Sequence, residues 1–169
     1  MKRKKILIIS DHPLSPSGVG TQTKYFIEAL LKTGRYEVVC LGGAIKHNDY
    51  EMVKELIRSI LRKERPDALW FMTDPRFFDW LWEIENEVRA VVPMIYYHVW
   101  DNYPVPHFNA KYYDSTDEVI AISKVTDDIL SQVSPNSHYG RIPHAVNHSI
   151  FHKFKNEELE SVKELRDNI

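Results

Sequence analysis

Short runs of apolar, β-prone residues recur along this chain and constrain its fold more than any other feature. They are Ile6-Leu7-Ile8-Ile9, Val38-Val39-Cys40-Leu41, Ala68-Leu69-Trp70-Phe71-Met72, Met94-Ile95-Tyr96-Tyr97 and Val119-Ile120-Ala121-Ile122. None alternates between apolar and polar, so none can lie with one face in water; unbroken runs of this kind are the signature of strands covered on both sides in a parallel sheet. A shorter sixth run is expected at His138-Tyr139-Gly140-Arg141-Ile142.

Between the runs the spacing changes to that of helices. Tyr25, Phe26, Ala29 and Leu30 form a stripe that stops at Gly34, and Met52, Val53, Leu56, Ile57, Ile60 and Leu61 form a second that runs to about Lys63. Helices are further expected over 77–88 and from about Lys124 to Val133. Strand and helix in alternation predict an α/β, Rossmann-like domain of three layers, with a parallel sheet and helices on both faces. Its crossovers should be right-handed, and ligands should gather beyond the carboxyl ends of the strands where the strand order reverses. The expected domain covers 1–154, with a charged helix or linker over 155–169.

The 169 residues suffice for one domain with a core of its own. A net charge of −2 excludes a general nucleic-acid binder. The single cysteine, Cys40, excludes an internal disulfide and fits a reducing compartment, so a cytoplasmic location is expected. No apolar run approaches the ~18 residues of a membrane span. Lys2, Arg3, Lys4 and Lys5 read as a solvated strand tip; the alternative is weak peripheral attachment to an anionic membrane, at about 1 kcal/mol per basic residue.

The residues that follow the strands are the candidates for chemistry. After the first strand come Asp11 and a loop reaching Gly18, Val19 and Gly20 at the start of a helix, where free N–H groups suit a phosphate. Two glycines are also what a plain turn needs. A dinucleotide fingerprint would want a third glycine where Thr23 stands, and an acid where the second strand ends in Leu41-Gly42-Gly43. A Gly-Lys-Ser/Thr phosphate loop and a Gly-x-Ser-x-Gly elbow are both missing.

After the fourth strand come His98, Trp100, Asp101 and Asn102. A histidine there can bond a ligand hydroxyl or move a proton, although bonding to a neighbouring loop is the simpler role. Ser123 is placed to cap the next helix, with Lys124 beside it. His144, His148 and His152 are spaced by four, but Pro143 argues against the continuous helix that would bring them to one metal, and no metal or other cofactor is expected.

Three segments resemble family 4 of the GT-B glycosyltransferases. The first is Lys5-Ile6-Leu7-Ile8-Ile9-Ser10 with Gly18-Val19-Gly20 and its helix, and the second is Val119-Ile120-Ala121-Ile122-Ser123. The third, Ile142-Pro143-His144-Ala145-Val146-Asn147-His148-Ser149-Ile150-Phe151, is similar to the family's hinge-side signature, with Ala145 and Asn147 where glycine and aspartate are usual. The resemblance spans about residues 4 to 154.

It implies the amino-terminal, acceptor-side half of a two-domain enzyme that moves a sugar from a nucleotide-sugar donor to an acceptor hydroxyl, with retention and without a metal. Gly18, Val19 and Gly20 would lie near the donor diphosphate and His98 at the sugar as a catalytic group, with Asp11, Asp101, Ser123, Lys124 and His144 lining the cleft. The chain alone is expected to be inactive, its partner being a donor-binding domain or a second chain. Two rivals stand beside this reading: a non-catalytic assembly module that docks such a chain, and a phosphate-ligand sensor of flavodoxin-like type.

Overall fold

The computed structural model describes residues 2–42, 49–100 and 102–168. Its strands are β1 (Lys4–Ser10), β2 (Tyr36–Gly42), β3 (Ala68–Thr73), β4 (Met94–His98), β5 (Glu118–Ala121) and β6 (His138–Arg141). The helices are α1 (Gly18–Lys32), α2 (Tyr50–Glu64), α3 (Asp79–Trp82), α4 (Glu85–Arg89), α5 (Ala110–Asp114), α6 (Lys124–Val133) and α7 (Asn156–Asp167). All six strands are parallel and lie in the order β2-β1-β3-β4-β5-β6. This is the Rossmann-like α/β domain that the unbroken apolar runs imply.

The step from β1 to β2 goes one way across the sheet; every later step goes the other. With right-handed crossovers, that order puts α1 on one face and the later connecting helices on the opposite face. The packing agrees. Leu7, Ile9, Leu69, Phe71, Met94 and Tyr96 point into a core closed by Val53 and Ile57 of α2, Trp80 and Trp82 of α3, Val88 of α4, Tyr113 of α5 and Leu130 of α6. Ile8, Trp70 and Tyr97 point the other way, against Phe26, Ile27 and Leu30 of α1.

The larger core is aromatic. Phe71 stacks on Tyr96 at 4.9 Å and meets the edge of Trp82 at 5.4 Å. Trp82 donates its indole N–H to the Tyr112 carbonyl at 2.9 Å, which fixes the short α5 beneath the β4–β5 crossover. That crossover escapes the sequence patterns because five residues of α5 are too few to show a period.

The helix expected over 77–88 is instead broken into a 3-10 turn (Pro75–Phe77), α3 and α4. Phe78, Trp80, Leu81, Trp82 and Ile84 are all buried. Residues so close in sequence span every side of a straight helix, which could sink only one side, so the backbone turns between them.

α7 stands apart: none of its residues is buried. No helix among the described residues is long and apolar enough to cross a membrane.

Replacing Phe71 by alanine should remove about 3–5 kcal/mol from a domain whose whole stability is of order 5–15 kcal/mol. The urea midpoint should fall by about a fifth or more, with the slope unchanged.

Candidate functional site

Because every strand is parallel, all carboxyl ends share one edge. Thr73, His98 and Ala121 lie level across β3, β4 and β5, and Ser10 ends β1 along the same edge. At about 4.8 Å per strand, β1 and β5 are roughly 14 Å apart. The loops after β1, β4 and β5 therefore leave from the same edge of the sheet, and the strand order reverses at β1, where a ligand crevice is expected.

The β1–α1 turn is built around its own side chains. Asp11 accepts from the Ser17 hydroxyl at 2.6 Å, and the Ser17 oxygen caps α1 by accepting from the Gly20 amide at 2.9 Å. Val19 and Gly18 begin α1, so their amides have no intrahelical acceptor and face outward with the positive end of the helix dipole. One turn on, the Thr23 hydroxyl bonds Ser10 at 2.8 Å, and Ser10 in turn donates to the Met72 carbonyl at 3.2 Å. Thr23 is fully buried, and its hydroxyl ties α1 to the sheet where a third glycine would otherwise sit.

The two glycines differ. A Cβ on Gly20 would lie 2.8 Å from the His12 carbonyl and 2.9 Å from that of Ser15, whereas one on Gly18 meets nothing within 4 Å. Gly20 serves the turn, and only Gly18 leaves room for something outside the chain. Gly42 is also a packing requirement: its Cβ would strike His12 at 2.9 Å. The first loop thus lies over the end of β2, where a dinucleotide site would need space for a ribose and its acid.

His98 lies at the common edge, but its ring turns to the face opposite α1 and is fully buried. It packs against Tyr96 and Tyr113 at 5.5 and 4.8 Å. The Tyr113 hydroxyl is 2.6 Å from Nε2 and accepts from the Asn109 amide at 3.1 Å. The Tyr113 hydroxyl thus joins the His98 ring to Asn109 in one buried hydrogen-bonded chain. Burial pushes the pKa of Tyr113 up, so its hydroxyl stays protonated. In this arrangement His98 organises the β4 end from below and does not line the crevice. Sequence alone could not settle this: one position along β4 separates the two faces.

The histidine on the α1 face is His144. Its ring lies 5.5 Å from that of Tyr97, and partial burial holds its pKa below the usual histidine value. The segment carrying it is fixed at two points. Gln22 of α1 both accepts from the Ala145 amide at 3.0 Å and donates to its carbonyl at 2.9 Å. Tyr97 donates to the Ile142 carbonyl at 2.8 Å. Neither Gln22 nor Tyr97 stands out in sequence, since both pairings join distant parts of the chain.

Ser123 caps α6 in a reciprocal capping box with Thr126, and Lys124 is exposed and paired with Asp128. Neither is committed to a ligand. Asp101 and Gly43 fall outside the described residues. His144, His148 and His152 lie on irregular chain without a common helical face, and no group of three or more metal-binding side chains occurs among the described residues. One cation missed in sequence sits at the edge: Arg76, held by both oxygens of Asp74 at 2.9 and 2.6 Å and lying 5.1 Å over the Trp100 ring.

Fold and switch point define the class, a Rossmann-like α/β domain with a capped glycine turn at its ligand edge. No protein-family profile and no curated protein sequence matches the chain. Among solved structures, TesA is similar at 15% identity and a TM-score of 0.41, covering 77% of this chain and 74% of its own. The transcription regulator GntR from Chromobacterium violaceum is similar at 14% identity and a TM-score of 0.36, over 87% of this chain and 60% of its own. At such scores neither likeness bears on function.

Two substitutions test the roles of the glycines. Gly20→Ala should cost about 1–3 kcal/mol by overpacking, while Gly18→Ala should change stability by no more than about 0.5 kcal/mol, both read from urea unfolding. His98→Ala should cost at least about 1–3 kcal/mol, the penalty of stranding a buried hydrogen-bond partner. Unaltered stability in that variant would mean that the ring is not packed beneath the sheet edge.

Proposed function

We propose that this chain is the acceptor-side domain of a GT-B glycosyltransferase, serving transfer of a sugar from a nucleotide donor to an acceptor hydroxyl in the cytoplasm. The observation that supports it best is the clamp between Gln22 and Ala145. It holds the segment resembling the hinge-side signature against α1, one turn beyond the open Gly18 position. A hinge that must set one domain over another needs such an anchor on the crevice wall. Gly18 and Val19 offer amides to the donor diphosphate, and backbone N–H groups of this kind stabilise a leaving-group anion. Among the histidines, we assign the ligand contact to His144, which shares the α1 face; His98 acts from the other face by holding the β4 end.

The strand order favours a second reading. Two strands on one side of the switch and the rest on the other is the flavodoxin-like arrangement, which suits a self-sufficient phosphate-ligand sensor.

Titration with a uridine diphosphate sugar, followed by amide NMR, separates the two. The acceptor-side reading predicts millimolar binding with shifts at Gly18, Val19 and His144. Micromolar binding by this chain alone would favour the sensor, and unmoved Gly18 and Val19 amides at 10 mM ligand would remove the donor assignment.

A further inference from the structure

The same strand order leaves a structural debt on one face. The connecting helices α2 to α6 lie on the far side of the sheet, so among the described residues α1 is the one helix packed on the near side. Beside α1 the surface of β4 and β5 is partly open: Ile95 and Ile120 are half-buried, whereas Trp70 and Tyr97 are buried under their neighbours. Trp70, Ile95, Tyr97 and Ile120 form the floor of an apolar groove of about 290 Å³, with Phe26 on one wall and Pro143 on the other. Two of the polar groups at its rim are committed within the chain: Gln22 bonds the Ala145 backbone and Tyr97 the Ile142 carbonyl, leaving the Tyr25 phenol as the other polar side chain of the lining. The rest of the lining is apolar, which calls for an apolar cover.

The next element of the chain has the complementary deficit. α7 buries none of its residues, and Leu159, Val162 and Leu165 are 41%, 42% and 66% exposed. At every third position they make one stripe, wide enough for a single packing face. A helix of twelve residues is marginal in water unless a surface supports it.

The geometry permits the match. Ala145 is pinned at the rim of the groove, and the ten residues 146–155 can reach about 33 Å when extended. α7 is roughly 18 Å long. The strands beneath the groove have four to six residues, or about 13–20 Å. A short tether of this kind gives a millimolar effective concentration.

We propose that α7 folds back onto this groove, laying Leu159, Val162 and Leu165 over Ile95, Ile120 and Pro143 as the second helix of the α1 layer. The inference stands independently of the glycosyltransferase reading.

Amide hydrogen exchange on the intact chain tests it. Docking predicts at least tenfold slowing across 162–166, independent of protein concentration and abolished by Leu159→Asp with Val162→Asp. Those two sites are exposed, so the pair leaves the core intact. Unprotected α7 amides, or protection that survives the double substitution, would overturn the proposal. A second measurement uses Ile120→Cys with Val162→Cys in a Cys40→Ser background. An intramolecular disulfide under mild oxidation is expected. A disulfide-linked dimer would give the groove to a second copy and overturn the proposal, as would a folded chain with no cross-link.

Discussion

Right-handed connection between parallel strands governs this molecule more than any single contact. Once β2 lies outside β1 and every later strand lies on the other side, the near face takes α1 and the far face the connecting helices that follow. The unequal cores follow from that rule: an extensive aromatic one on the far side and a smaller one around Trp70. The switch point at β1 follows too, since strand order can reverse only where the chain first turned back.

At that reversal a short series of hydroxyl bonds makes the turn rigid. Asp11, Ser17 and Gly20 form one branch and Thr23, Ser10 and Met72 the other. Both are satisfied within the chain, so the start of α1 is fixed before any ligand arrives. Preorganisation of this kind lets backbone amides stabilise an anion without reorganising when it binds. It also explains why Thr23 and Gly42 occupy positions where a dinucleotide site would have glycine and an acid: here those positions serve the loop itself.

The strands and the longer helices could be read from the chain because burial on both faces writes itself as unbroken apolar runs, and one-sided burial as a helical stripe. α6 even begins and ends at Lys124 and Val133, as its spacing and its serine cap require. Where reading failed, the cause was local geometry that only packing decides. The aromatic run from Phe78 to Ile84 offers a helical pattern, yet it must bury side chains in several directions and so breaks. α5 is too short to leave a period. For the site, the turn at Gly18 and the segment after Ile142 were visible as motifs. Their connection through Gln22 and Tyr97 was not, because bonds across 123 and 45 residues leave no trace in local spacing.

The two histidines show what is at stake in that gap. Each follows a strand that ends at the same edge, and each could be drawn into a cleft on paper. His98 continues the side of β4 that carries Met94 and Tyr96, so it goes down with them and meets Tyr113. His144 lies beyond the last strand, on a segment whose path is set by Gln22, and so comes to rest by Tyr97 on the α1 side. A ligand held by the amides of Gly18 and Val19 approaches from that side. Face, set by parity along a strand, therefore outranks proximity to a strand end in deciding which histidine a ligand can meet.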